Sequence, residues 1–163
     1  WDRAERQAES PFSLILCDSD DFKSCNDADG HLAGDECLRQ VAQSIKNSFT
    51  RKVDLVARYG GEEFMVVLPN TTTDAATRQA EKMRENIWAL AIEHKSSEVA
   101  ARVSISIGVY TIHHTQGTTL KSSIGFADEA LYQAKNSGRN QVIHYELFTS
   151  AIKPSAIEGI QIE

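Results

Sequence analysis

Residues 55–69 read LVARYGGEEFMVVLP, two apolar runs joined through Gly60 and Gly61. No other stretch constrains the fold so tightly. A Gly-Gly link lets both positions take positive φ without a Cβ clash, so residues 55–59 and 62–68 are expected to close as a two-stranded hairpin. The hairpin also poses a problem of charge. Glu62 and Glu63 stand side by side just past the turn, where two uncompensated carboxylates repel each other. Either they are solvated turn residues, or a positive group belongs beside them.

The rest of the chain supplies elements for that hairpin to pack on. Residues 11–20, PFSLILCDSD, form an apolar run that ends in acid. It reads as a buried strand over 12–17 with Asp18 at its C-terminal edge, and Phe12, Leu14, Leu16 and Asp18 share one face. A short helical piece over 20–27 is broken by Gly30. Leu38, Val41, Ile45 and Phe49 recur at spacings of three and four, which predicts a helix over 33–50. A helix over 74–93 carries Ala76, Ala80, Met83, Ile87 and Leu90 on one side. Residues 102–112 alternate as a strand does. A helix over 120–136 presents Ile124, Ala127, Leu131 and Ala134 and ends at Gly138, and a strand over 141–145 closes the pattern.

This order predicts an α+β sandwich with a ferredoxin-like βαββαβ core, its antiparallel central sheet flanked by helices. At 163 residues one domain is expected. It is placed at 11–146, between the end of a charged helix in 1–10 and a tail or linker over 147–163. The opening WDRAERQAES has no initiating Met and reads as part of a longer parent.

A formal charge of −6 argues against a nucleic-acid backbone as the main partner, which needs a basic footprint. It leaves room for a small phosphate ligand, since a local site or a bound metal can invert the field. Cys17, Cys25 and Cys37 contain no CxxC pair and are expected as reduced, buried thiols, which suits the cytosol. No apolar run approaches a membrane span, so no membrane contact is expected of this domain, although its parent can be anchored. His113 and His114 are expected at the surface, and Met83 and Trp88 on the packed side of their helix.

With the hairpin folded beside the first strand, Asp18 and Glu62 can lie near each other. Two carboxylates at adjacent strand ends suit Mg²⁺, which takes oxygen ligands and keeps waters and phosphates in its shell. Spacing alone leaves this open against a solvated acidic loop tip.

Four blocks carry the chain further: CDSDDFKSCNDADGHLAGDECL from Cys17, RYGGEEF from Arg58, SISIGV from Ser104 and ADEALYQAKNSGRN from Ala127. Together, in this order, they resemble the GGDEF family of diguanylate cyclases, whose fold is like the palm of nucleotide cyclases and polymerases. The resemblance implies an enzyme that joins two GTP molecules into cyclic di-GMP with release of pyrophosphate. It also implies two Mg²⁺ or Mn²⁺ ions per active site and a homodimer of facing domains. Asp18 and Glu62 match the family's metal-binding carboxylates, and Ser19 the position whose main-chain carbonyl contacts the metal. Glu62 and Glu63 are the signature acids, with Glu62 the expected base. Asn26 and Asp35 match the guanine-reading pair, and His31 lies in a substrate-contacting segment. Lys23, Lys135 and Arg139 match cations around the triphosphate, and Gly60 and Gly61 let the ribose and α-phosphate lie against the backbone. Arg51 and Asp54, in RKVD, match an inhibitory product site. The family's usual DxLTGLxNR segment is missing at the start.

Each position has a plainer reading. Lys23 can be a solvated helix residue, His31 a helix-start residue, Asn26 and Asp35 caps, and Arg51–Asp54 a surface ion pair. At the level of the whole domain, the alternatives are a catalytically weak GTP or cyclic di-GMP binding regulator, or a cyclase or polymerase relative with another product. The presence of all five signature and base-reading residues favours the enzyme.

Overall fold

The computed structural model describes residues 10–113 and 119–146, apart from the side chains of Cys25, Ala28, Asp29 and His31. The expected helix end at the N-terminus, the tail over 147–163, His114 and the side chain of His31 therefore lie outside the described residues. Nine elements follow in order: β1 (Phe12–Ser19), α1 (Phe22–Asp29), α2 (His31–Ser48), β2 (Leu55–Gly60), β3 (Glu63–Pro69), α3 (Thr73–Ala89), β4 (Ile105–Ile112), α4 (Leu120–Asn136) and β5 (Val142–His144).

The strands form one sheet in the order β2-β3-β1-β4-β5. The first four are antiparallel, as a ferredoxin-like core requires, with β1 between β3 and β4. β5 runs parallel to β4, so the sheet as a whole is mixed. The cause is the connection: α4 crosses over the sheet between β4 and β5, and a crossover returns the chain in the same direction.

Two apolar cores result, one on each face. Ile15 and Cys17 of β1 meet Val41 and Ile45 of α2 and Ala76, Ala80, Met83 and Ile87 of α3. Leu14 and Leu16 point the other way, toward Ala127 and Leu131 of α4. Phe12 packs beside them, as the alternation predicted. Burial also pushes the Cys17 thiol up to about 12, so it stays protonated in its core position.

Helix starts follow local chemistry. Thr72 caps α3 by accepting from the Ala75 amide, and Thr119 caps α4 in a reciprocal box with Ser122. α3 stops at Ala89, and Leu90, its C-cap, is exposed rather than inward. Met83 is fully buried, whereas Trp88 is half-buried beneath the Arg102 guanidinium, 4.9 Å above its ring. β4 starts at Ile105, later than the sequence pattern suggested, and Arg102 forms only an isolated bridge with Glu93.

One glycine is fixed by contact. A Cβ at Gly108 would fall 2.1 Å from the Ala127 carbonyl oxygen and 2.4 Å from the Leu131 nitrogen. The backbones of β4 and α4 touch there, which holds α4 close to the C-terminal end of β1.

Candidate active site

The hairpin closes one residue later than expected. Gly60 pairs with Glu63, so the turn is Gly61-Glu62, with an irregularity between Arg58 and Gly60. Only Gly61 takes positive φ, +42°. Arg58 Nε donates to the Gly61 carbonyl at 2.8 Å and clamps the turn. Gly60 therefore ends β2, Glu62 is a turn residue and Glu63 opens β3. Both glutamates are half-buried.

Across the sheet, Asp18 pairs with Glu63 on one side and Ser106 on the other. Asp18 is almost wholly buried, and that burial pushes its carboxyl up to about 6. Lys135 Nζ, 2.9 Å from Asp18 Oδ2, pulls it back, while Glu62 and Glu63 push it further up. Three carboxylates thus crowd one ammonium. This answers the problem the paired glutamates posed: α4 delivers Lys135 from its last turn, yet the cluster remains short of positive charge.

A divalent ion fits that shortage. The donors are hard oxygens, although among the described residues no three His, Cys, Asp or Glu side chains stand together closely enough to hold a metal ion by themselves. A site of two carboxylates, completed by waters and phosphates, is the arrangement Mg²⁺ favours. Ser19 sits beside Asp18 in sequence, but strand alternation turns its side chain to the opposite face, opposite Ile105. Its buried Oγ has no partner among the described residues.

The expected base-reading residues meet at the corner between α1 and α2. Gly30 breaks the helices there with φ +82°. Asn26 lies on α1, and its side chain rests directly on Gly34 of α2: a Cβ at Gly34 would fall 1.8 Å from Asn26 Oδ1. Asp35 follows Gly34 and is exposed, as is Lys23 on α1. Arg139 follows α4 with φ +61°, and its Nε lies 3.6 Å from Asp21 Oδ1.

Arg51 and Asp54 do not join this cluster. They precede β2, at the end of the hairpin away from Gly61. Arg51 donates to Asp54 through Nε at 3.0 Å and through Nη2 to the Thr71 hydroxyl at 2.8 Å. Six residues of β2 separate the pair from the turn, roughly 20 Å of strand.

Three positioning residues escaped the sequence reading. Gly34 makes room for Asn26. His94, buried in the loop before β4, has its Nε2 3.1 Å from the Asp21 carbonyl and steadies the start of α1. Asp20 accepts from Ser104 Oγ at 2.7 Å, Ser106 Oγ at 2.6 Å and the Asn140 amide at 3.1 Å. The alternating serines in SIS were the available signal, because they aim two hydroxyls along one face of a strand.

The family model described as the diguanylate cyclase GGDEF domain matches residues 1–141. The chain belongs to the GGDEF family. It is 40% identical over 136 residues to diguanylate cyclase A of Treponema denticola, covering 83% of this chain and 36% of that protein. It is 42% identical over 132 residues to diguanylate cyclase DgcM of Escherichia coli, covering 81% of this chain and 30% of that one. The response regulator PleD of Caulobacter vibrioides is 41% identical over 133 residues, 82% of this chain and 29% of PleD. The GGDEF chain thus spans about a third of the length of these relatives. Among solved structures, the GGDEF domain of DgcB from Caulobacter crescentus, in complex with c-di-GMP, superimposes with a TM-score of 0.77 at 32% identity, covering 90% of this chain and 86% of that one. The active GGEEF domain of a diguanylate cyclase from Vibrio cholerae gives 0.74 at 35% identity, covering 90% and 89%.

Proposed function

We propose that this GGDEF domain, residues 11–146, condenses two GTP molecules into cyclic di-GMP across the interface of two facing copies. The observation that carries the reading is the convergence of Asp18, Glu62, Glu63 and Lys135 at adjacent strand ends, with excess negative charge and one cation in contact. Membership of a family whose relatives are diguanylate cyclases supports the same reaction.

In this reading Asn26 and Asp35 hold the guanine. The carboxylate accepts from N1–H and N2–H₂, and the amide donates to the base's acceptors. His31 contacts the substrate from the start of α2. Lys23, Lys135 and Arg139 bind the triphosphate, and Lys135 can pass from Asp18 to a phosphate oxygen without leaving the site. Gly60 and Gly61 let the ribose and α-phosphate lie against bare backbone. Asp18, Glu62 and the Ser19 carbonyl would hold Mg²⁺ or Mn²⁺, two ions per site, which when bound neutralise the triphosphate and acidify the 3′-hydroxyl. Glu62, with Glu63 beside it, accepts the 3′-hydroxyl proton. The 3′-oxygen then bonds to the α-phosphorus of the facing nucleotide, and the bond to the β-phosphate oxygen breaks, releasing pyrophosphate. The reciprocal step closes the ring and releases a second pyrophosphate.

Accumulated product would bind at Arg51 and Asp54 and slow the reaction. GTP places the domain in the cytoplasm, and among the described residues no helix is long and apolar enough to cross a membrane. The decisive experiment incubates the domain with GTP and Mg²⁺ and identifies the product by mass. Cyclic di-GMP and pyrophosphate in a 1:2 ratio are expected. Bound but unconverted GTP would make the domain a receptor, and a different product would make it another kind of cyclase.

A further inference from the structure

Two successive residues after α4, Arg139 and Asn140, adopt left-handed backbone with φ +61° and +45°. That conformation is costly for residues with a side chain, and Arg lacks the local hydrogen bonding that lets Asn tolerate it. It persists only where the surroundings hold it. Here the hold is specific. The Asn140 amide donates to Asp20 Oδ2 at 3.1 Å, and Asn140 Oδ1 accepts from Arg84 Nη1 at 3.1 Å. Asp20 is itself buried, and its other bonds, from Ser104 and Ser106, anchor it to β4. Its own amide donates to the Ser104 carbonyl at 2.9 Å.

Asp20 therefore ties together three segments distant in sequence: the end of β1 that carries Asp18, the start of β4, and the turn that presents Arg139. All of the bonds to its carboxyl come from donors, so the group acts purely as an acceptor hub. Lys135 lies in the last turn of α4 just before this turn, and Arg139 is part of it.

We propose that Asp20 is a positioning residue for phosphate recognition: by holding the Asn140 amide it keeps Arg139 where a triphosphate can meet it. The proposal rests on the GTP reading above. It separates Asp20 from the guanine corner at Asn26 and Asp35, which no bond to its carboxylate reaches.

Asp20→Asn tests this. The amide keeps the shape but can no longer accept at both ends, and the turn at 139–140 loosens. GTP affinity, measured by titration, should fall about tenfold, while guanosine, measured by saturation-transfer NMR, should bind within twofold of wild type. Hydrogen exchange at the Asn140 amide should rise. In an Arg139→Ala background, Asp20→Asn should weaken GTP by less than a further twofold, because the group it positions is gone. If Asp20→Asn does not fold, Ser104→Ala removes one bond to the same oxygen and should give the same selective loss, about threefold. Equal weakening of GTP and guanosine, no weakening of either, or a full tenfold effect without Arg139 would each overturn the positioning role. A wild-type protein that binds guanosine but not GTP would sink the nucleotide-triphosphate reading first, and this role with it.

Discussion

At the scale of single residues, Asp18 carries a cost that is visible in its proton affinity. Its carboxyl titrates at about 6 instead of the ordinary 3.8, chiefly because burial disfavours the charge and Lys135 offsets only part of that. The folded state therefore holds this proton more tightly than the unfolded state. Between pH 4 and 6 the folded chain binds more protons, so this group's contribution to stability falls as pH rises through that window and is lowest above it. Asp18→Asn removes the charge and keeps the shape. In metal-free buffer the variant should be more stable than wild type by about 1–3 kcal/mol at pH 7.5, with the gain vanishing near pH 4. Urea denaturation at several pH values measures this, and the same variant should form no cyclic di-GMP. A variant that is stabilised and still turns over GTP would remove Asp18 from the metal site. A stability gain that does not depend on pH would mean that burial of the charge is not its cause.

At the scale of elements, two glycines govern how pairs of segments meet. Gly108 lets β4 and α4 touch, with no room for a methyl group against backbone atoms that cannot swing aside. Gly108→Ala should cost at least about 2 kcal/mol, read as a lower denaturation midpoint with an unchanged m-value. Gly34→Ala differs, because its neighbour is a side chain. Asn26 would have to rotate away, while alanine favours the helix by about 1 kcal/mol. The variant should melt near wild type yet bind GTP several-fold more weakly, and lose discrimination against ATP. Unchanged selectivity would take Asn26 out of base reading. Elements were legible where the signal was local. The helix over 120–136 appeared at its full length because apolar spacing and a following glycine coincide. The hairpin was legible but its turn moved by one residue, since an irregularity between Arg58 and Gly60 depends on the paired strand. The direction of β5 and the hydrogen bonds of Asp20 were not legible. Each is settled by partners far along the chain, such as the Asn140 amide 120 residues from Asp20.

At the scale of the whole molecule, the active end of the sheet and the RKVD segment lie at opposite ends of one hairpin. Arg51 and Asp54 cannot reach the cluster around Asp18 from there, so any control they exert must act through the arrangement of two domains or through the hairpin itself. As they stand, the two side chains satisfy each other, and Arg51 also binds Thr71, joining the loop before β2 to the segment after β3. A pair that only clamps two loops in this way, with Asp54 buried behind Arg51, has no regulatory consequence. The guanidinium keeps exposed surface, however, and its fork of donors suits a guanine edge or a phosphate, whereas the Asp54 carboxylate is buried behind it and would have to come free of Arg51 to accept from guanine N1–H and N2–H₂. A product bridging two such sites would hold the domains so that their glutamate turns do not face, and condensation would stop although each half-site remained intact. Arg51→Ala separates the two possibilities. Initial turnover should match wild type, because the cluster around Asp18 is untouched, and the concentration of cyclic di-GMP that halves the rate should rise at least tenfold. Direct titration of the product should show a matching loss of affinity. Identical inhibition curves, with product binding unchanged, would leave Arg51 as a loop-to-loop clamp and nothing more.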